Sequence, residues 1–146
     1  MTVSKKLRAL VIQRAHGYCE YCLCPQDHSP SSFSIEHIIP ESRGGPTEEA
    51  NLAWSCQGCN NAKYNHVTGI DSVTGAAVAL FNPRKDNWRD HFRWEIPFSI
   101  LIGVSGVGRA TIRRLKLNRE NIVNLRRTLV MVGKHPPEHL NWVSSN

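Results

Sequence analysis

The sequence predicts a small α+β protein that a bound metal ion staples together. Segments in which apolar residues recur at helical spacing are interspersed with short segments typical of strands. Four of the five cysteines form two Cys-x-x-Cys pairs, a pattern typical of metal sites. The length of 146 residues suits one domain or a small domain with an extension.

Apolar spacing, capping residues and turn residues predict the individual elements. Ser4 can cap a first helix and Gly17 can end it, and Asn118 can cap a last helix that ends at Gly133. The expected elements are a helix over 4–16, a strand over 33–39, a turn over 40–47, a short helical turn over 48–54, a helix over 60–65, one or two strands over 73–81, a strand over 97–104, and helices over 109–115 and 118–132.

The charge of the chain is unevenly distributed. The net charge is +6, yet residues 1–79 carry six Lys or Arg against seven Asp or Glu, a net charge of −1. Residues 80–146 carry twelve basic against five acidic residues, a net charge of +7. A segregated basic surface often binds a polyanion such as nucleic acid, although a solvated basic face is the alternative.

Composition also excludes several classes of protein. Apolar residues make up 40% and charged residues 21% of the chain, as in ordinary globular proteins. The sequence has no apolar run of about 18 residues, so we expect no transmembrane helix. Basic residues interrupt the first segment where a signal peptide would be continuously apolar, so we expect a reducing cytoplasm.

The cysteines indicate a structural zinc site. Cys19 and Cys22 form the first pair, Cys56 and Cys59 form the second, and 33 residues separate the pairs. Zinc prefers tetrahedral thiolate ligands, and each pair can present two sulfurs to one side of the ion. A disulfide framework, which needs an oxidising compartment, and a thioredoxin-like redox motif are the alternatives. Cys24 is left without a predicted role.

An ordered set of polar residues lies between and after the cysteine pairs. It comprises Ile35–Pro40 (IEHIIP), Ser42–Gly45 (SRGG), Asn51 with the following leucine, and Cys56–Lys63 (CQGCNNAK). With both cysteine pairs, this set resembles the HNH endonuclease family, in the subgroup with two C-x-x-C zinc knuckles. The resemblance spans the 45 residues from Cys19 to Lys63. The remaining sequence resembles the C-terminal extension of many short bacterial members.

The resemblance implies a particular fold and domain organisation. The expected core is a small ββα-metal fold, treble-clef-like, with two strands and a helix around a catalytic metal and a zinc staple of four cysteines. We expect residues 1–66 to form this nuclease core with its N-terminal helix. Residues 67–146 would form a basic extension of strands and helices that packs on the core.

The resemblance also implies metal-assisted hydrolysis of DNA phosphodiester bonds. His37 matches the general base that activates water, and a neutral imidazole suits that task near neutral pH. Glu36 and Asn60 match the ligands of a divalent ion, Mg²⁺ or Mn²⁺, that stabilises the leaving 3′ oxygen. Asn51 matches the residue that orients the loop after His37. Asn51 and Asn60 have the alternative role of helix caps.

Four basic residues are candidates for contact with DNA. Lys63 follows the second knuckle and is expected to reach a phosphate, with a plain surface lysine as the alternative. Arg109, Arg113 and Lys116 fall on one face of the expected helix at i, i+4 and i+7. They are expected to contact phosphates beside the cleavage site.

Two other kinds of protein remain as alternatives. Glu36 stands where the family commonly has Asp or His, which keeps open a non-catalytic, zinc-stapled module that binds nucleic acid. A redox or disulfide protein would contain no zinc. A nuclease that cuts both strands with one site per chain would act as a homodimer.

Overall fold

Residues 2–138, the part of the chain that the computed structural model describes, contain four α-helices and six short strands joined by turns and loops. The mixture of helices and small antiparallel sheets confirms the predicted α+β class. The elements are α1 (Lys5–Arg14), β1 (Ser34–His37), β2 (Leu52–Ser55), α2 (Gln57–Lys63), β3 (Thr68–Ile70), β4 (Ala77–Ala79), β5 (Phe92–Glu95), β6 (Ile100–Gly103), α3 (Gly106–Leu115) and α4 (Glu120–Met131).

The chain divides into two compact units. The first contains the residues up to Val67 together with Asn82–Arg84. The second contains Thr68–Phe81 and the residues from Lys85 onward. The expected division into a core over 1–66 and an extension packed on it stays a prediction, and residues 139–146 of that extension lie outside the described residues.

The first unit contains a β-hairpin followed by a helix. Strands β1 and β2 pair antiparallel, with His37 opposite Leu52 and Glu36 opposite Ala53. Helix α2 follows β2 at once, which produces the expected order of two strands and a helix. Helix α1 precedes the hairpin, and the Ser4 hydroxyl caps it by accepting a bond from the Leu7 amide at 3.2 Å.

Strand β2 corrects the predicted helical turn over 48–54. The turn occupies only Glu49–Asn51, and the next four residues, Leu52–Ser55, form a fully buried strand. Both faces of this strand are covered, so it lacks the alternation that marks a half-exposed strand in a sequence. Its pairing with β1 and its burial thus outweigh the weak local preference for a turn.

Helix α2 begins three residues earlier than predicted. The sulfur of Cys56 caps it by accepting a hydrogen bond from the Cys59 amide at 3.4 Å. Asn60 therefore lies inside the helix and does not cap it. Because Cys59 and Lys63 are four residues apart, they share one helix face, and both are buried.

Up to residue 138, the second unit contains two hairpins and two α-helices. Strand β3 pairs with β4, and β5 pairs with β6, both antiparallel. The hydroxyl of Ser105 caps α3 by accepting a bond from the Gly108 amide at 3.0 Å. Asn118 does not cap α4, because its amide exchanges two hydrogen bonds of 2.8 Å with the backbone of Leu101. No helix in residues 2–138 has the length and hydropathy needed to cross a membrane.

Candidate functional site

The four predicted zinc ligands converge in the first unit. The sulfurs of Cys19, Cys22, Cys56 and Cys59 all lie within 4.8 Å of one another, and all four residues are buried. The sulfurs of Cys22 and Cys56 are 3.7 Å apart, close to the separation of about 3.8 Å between thiolates around a tetrahedral zinc ion. All five cysteines carry free thiols, which argues against the disulfide alternative. The donor set therefore fits a structural zinc ion.

Each knuckle is shaped by its own backbone. The amide of Cys22 points at the sulfur of Cys19 at 3.5 Å, and the amide of Cys59 points at the sulfur of Cys56 at 3.4 Å. Such N–H···S contacts stabilise thiolate charge on the ligand sulfurs. Cys24 is also buried and its thiol contacts two of these sulfurs, but it stands outside the group of four.

His37 lies at the end of β1 with its side chain 16% exposed. Its Nε2 atom is 2.9 Å from the Thr47 hydroxyl and 3.7 Å from a carboxylate oxygen of Glu41. A carboxylate only accepts hydrogen bonds, so these neighbours favour the tautomer with the proton on Nε2. That tautomer has its lone pair on Nδ1. Thr47 and Glu41 were not predicted, although the i, i+4 spacing of His37 and Glu41 was a signal.

Asn51 closes the loop that follows His37. Its side-chain oxygen accepts from the Ile39 amide at 2.9 Å, and its side-chain nitrogen donates to the carbonyls of Ile39 and Pro46 at 3.0 and 2.9 Å. Gly45 makes the tight closure sterically feasible, because a Cβ atom there would lie 1.7 Å from the Ile39 carbonyl oxygen. Asn51 is thus engaged with loop backbone and is not a helix cap.

Glu36 is buried in a polar cluster. One carboxylate oxygen accepts from the Tyr21 hydroxyl at 2.5 Å, and the other accepts from the Lys63 ammonium at 2.7 Å. The ammonium also donates to the Ile38 carbonyl at 2.8 Å. Burial raises the pKa of Glu36, and the charge of Lys63 opposes that rise. Lys63 thus holds both sequence neighbours of His37, the carboxylate of Glu36 and the backbone carbonyl of Ile38.

This cluster bears on the roles predicted for Lys63 and Glu36. Lys63 is 1% exposed, so its ammonium is withdrawn from solvent, in contrast to the predicted phosphate contact. Glu36 is 6% exposed and already neutralised by a cation, so it does not fit the predicted divalent metal ligand in this arrangement. In residues 2–138 the cysteine group is the only cluster of three or more His, Cys, Asp or Glu placed to hold a metal. Asn60 is half-buried in α2, one turn before Lys63.

The predicted DNA-binding arginines and lysine of the second unit differ in their surroundings. Arg109 is held by Asp71 through two bonds of 2.7 and 2.9 Å, and this pairing lowers the pKa of Asp71. Arg113 and Lys116 are exposed on α3 and at its end. Arg113 and Lys116 are therefore accessible to a polyanion, whereas part of the Arg109 guanidinium is already occupied.

We expect one zinc ion per chain, held by the four clustered cysteines. Cys59→Ser should lose the ion and unfold the first unit, because binding of structural zinc contributes directly to the free energy of folding. Cys24→Ser is the matched control and should retain zinc and the wild-type melting temperature. Metal analysis and thermal melts measure both variants; a Cys59→Ser protein with full zinc content would contradict the assignment.

We also expect the buried pair of Glu36 and Lys63 to be sensitive to loss of one partner. Lys63→Met should lower the free energy of unfolding of the zinc-loaded protein by about 3–5 kcal/mol, since it leaves a buried carboxylate without its cation. Adding Glu36→Gln should recover part of that loss. Urea denaturation measures both, with Lys6→Met as the exposed-lysine control. Unchanged stability with weakened DNA affinity in Lys63→Met would instead support the phosphate contact.

Comparison with known proteins identifies the segment that carries these features. Residues 19–66, about a third of the chain, match the family model described as HNH endonuclease. The chain has no significant match among curated proteins. The matched segment begins at the first ligand cysteine and includes His37, Asn51 and α2. Residues 19–66 of this chain are therefore similar to the HNH endonuclease family, and they contain both the cysteine cluster and the His37 site (His37, Glu41, Thr47 and Asn51).

Proposed function

We propose that the protein is an endonuclease that hydrolyses DNA phosphodiester bonds, with His37 as the general base. The observation that carries this proposal is the fixed orientation of the His37 ring, which is held through Nε2 by Thr47 beside the Glu41 carboxylate. The HNH match supports a nuclease-type function for the same segment. A histidine held in this way on a rigid strand suits general base catalysis.

The proposed reaction is a displacement at phosphorus. A water molecule attacks the phosphorus atom while Nδ1 of His37 takes its proton, and the bond from phosphorus to the 3′ oxygen breaks. The imidazolium that forms is stabilised by the Glu41 carboxylate, 3.7 Å from Nε2. The departing 3′ oxygen acquires a proton from solvent, so the products are a 5′-phosphate and a 3′-hydroxyl.

The family resemblance implies a catalytic Mg²⁺ or Mn²⁺ ion, but the surroundings of Glu36 do not fit a ligand of such an ion. Both oxygens of Glu36 accept hydrogen bonds, and adding a divalent ion would bring three positive charges to one carboxylate. The proposed reaction therefore contains no step on such an ion, and the requirement for the ion, with Asn60 as a ligand, stays a prediction. We propose instead that Glu36 positions His37 by fixing the backbone of β1.

The DNA-binding role of the second unit is part of the proposal. Exposed Arg113 and Lys116 supply phosphate contacts, and the charge of +7 on residues 80–146 supplies the surrounding field. Arg109 contributes through the edge of its guanidinium that Asp71 does not occupy. Cleavage of both strands by one site per chain would require two copies, so a homodimer stays an expectation.

The ion pair between Glu36 and Lys63 favours a second candidate function. A protein whose expected metal-ligand position is filled by a lysine ion pair could have kept the zinc cluster and the basic surface without a productive centre. It would then be a non-catalytic, zinc-stapled module that binds nucleic acid. Binding without cleavage in Mg²⁺, Mn²⁺, Ca²⁺ and Zn²⁺ would favour this module.

We expect His37→Ala to reduce plasmid cleavage by about 10²- to 10⁴-fold, the usual contribution of a general base. The matched control is His28→Ala, which removes a histidine of the same unit that lies outside the His37 site and should cleave like the wild type. Cleavage is followed on gels of supercoiled plasmid with each divalent ion and with none. Equal rates for wild type and His37→Ala would refute His37 as the general base.

A further inference from the structure

An unusual turn joins α2 to the segment that follows it. The amide of His66 donates to the carbonyl of Lys63 at 3.0 Å, so residues 63–66 form a β-turn. Tyr64, the second residue of this turn, has φ of 51° and ψ of −121°. These angles are those of a type II′ turn, in which this position strongly favours glycine.

A tyrosine at this position is strained and gains little from packing. Its Cβ atom makes positive φ costly, whereas glycine adopts the same backbone freely. The side chain is nevertheless 73% exposed, and its described ring contact is an edge-on approach to His66 at 6.3 Å between centroids. Core packing therefore does not explain the presence of a large aromatic ring here.

The turn is fastened to the His37 site on two sides. Lys63, the first residue of the turn, donates to the carbonyl of Ile38, the residue after His37. Asn65, the third residue, accepts a bond of 2.7 Å from Nε of Arg43, which lies in the loop between His37 and Asn51. Tyr64 thus projects from a short turn that is tied both to Ile38, next to His37, and to the loop that contains Arg43.

We propose that Tyr64 is a stacking platform for an unpaired nucleobase next to the scissile phosphate. The inference rests on the proposed function and adds the kind of substrate: DNA with an unpaired or flipped base at the site. An exposed ring can stack on a base only when neighbouring base pairs do not cover the face of that base. Arg43 is exposed beside the turn and can contact the adjoining phosphate.

The test uses the zinc-loaded full chain carrying His37→Ala, so that binding is measured without cleavage. The probe is a short fluorescein-labelled single-stranded DNA, and fluorescence anisotropy gives the Kd. Tyr64→Gly should raise the melting temperature, because it relieves the backbone strain, yet weaken binding about 5- to 100-fold, as expected for loss of one base stack. Tyr64→Phe should retain the binding, and Tyr64→Leu, which keeps apolar bulk without a ring, should lose it.

A strand made of abasic nucleotides separates stacking from backbone contact. With this probe, Tyr64→Gly and the parent should bind equally, because no base is present to stack. Equal affinity of Tyr64→Gly and the parent for the normal strand would overturn the inference, as would an equal loss on the abasic strand. If Tyr64 controls binding but the wild-type protein cleaves no substrate, the nuclease proposal fails while the stacking site stands.

Discussion

The convergence of four cysteine sulfurs is the constraint on which the first unit depends. The two knuckles are separated by 33 residues in the sequence, yet their four sulfur atoms lie within 4.8 Å of one another. The segment between them forms β1, the loop from His37 to Asn51, and β2. A unit of this size has a small apolar core, and a structural metal is a common means of stabilising such a core. The knuckles also supply attachment points, because Tyr21 lies inside the first and α2 extends from the second.

Buried ion pairs connect the first knuckle to the strands on either side of the loop that follows His37. Glu36 links Tyr21 to Lys63, and Lys63 also donates to the carbonyl of Ile38, so both sequence neighbours of His37 are held by the same ammonium. Glu20, also in the first knuckle, accepts from the Trp54 amide at 3.1 Å and pairs with Arg84. Burial raises the pKa of Glu20, and the positive charge of Arg84 opposes the rise. Strands β1 and β2 are therefore each tied to the first knuckle, and the ring of His37, the proposed general base, lies at the end of β1.

Sequence reasoning was strongest where spacing alone determines geometry. The two C-x-x-C pairs predicted a four-sulfur cluster, whereas the two strands and a helix were implied by the family resemblance. It was weaker where helix phase decides which way a side chain points. Lys63 follows Cys59 by four residues, so the helix that buries the zinc ligand also buries the lysine. The strand β2 was missed because burial on both faces removes the period-two signal, and Tyr64 was missed because backbone angles are not visible in a sequence.

We infer that zinc binding by the cysteine cluster assembles the His37 site. The most direct test is the rate of DNA cleavage by the zinc-loaded protein while a chelator selective for zinc over magnesium removes the ion, with zinc content measured in parallel. We predict that the cleavage rate falls in proportion to the zinc lost and returns when zinc is restored. A zinc-free protein that cleaves DNA at the full rate would show that the His37 site forms without the zinc cluster.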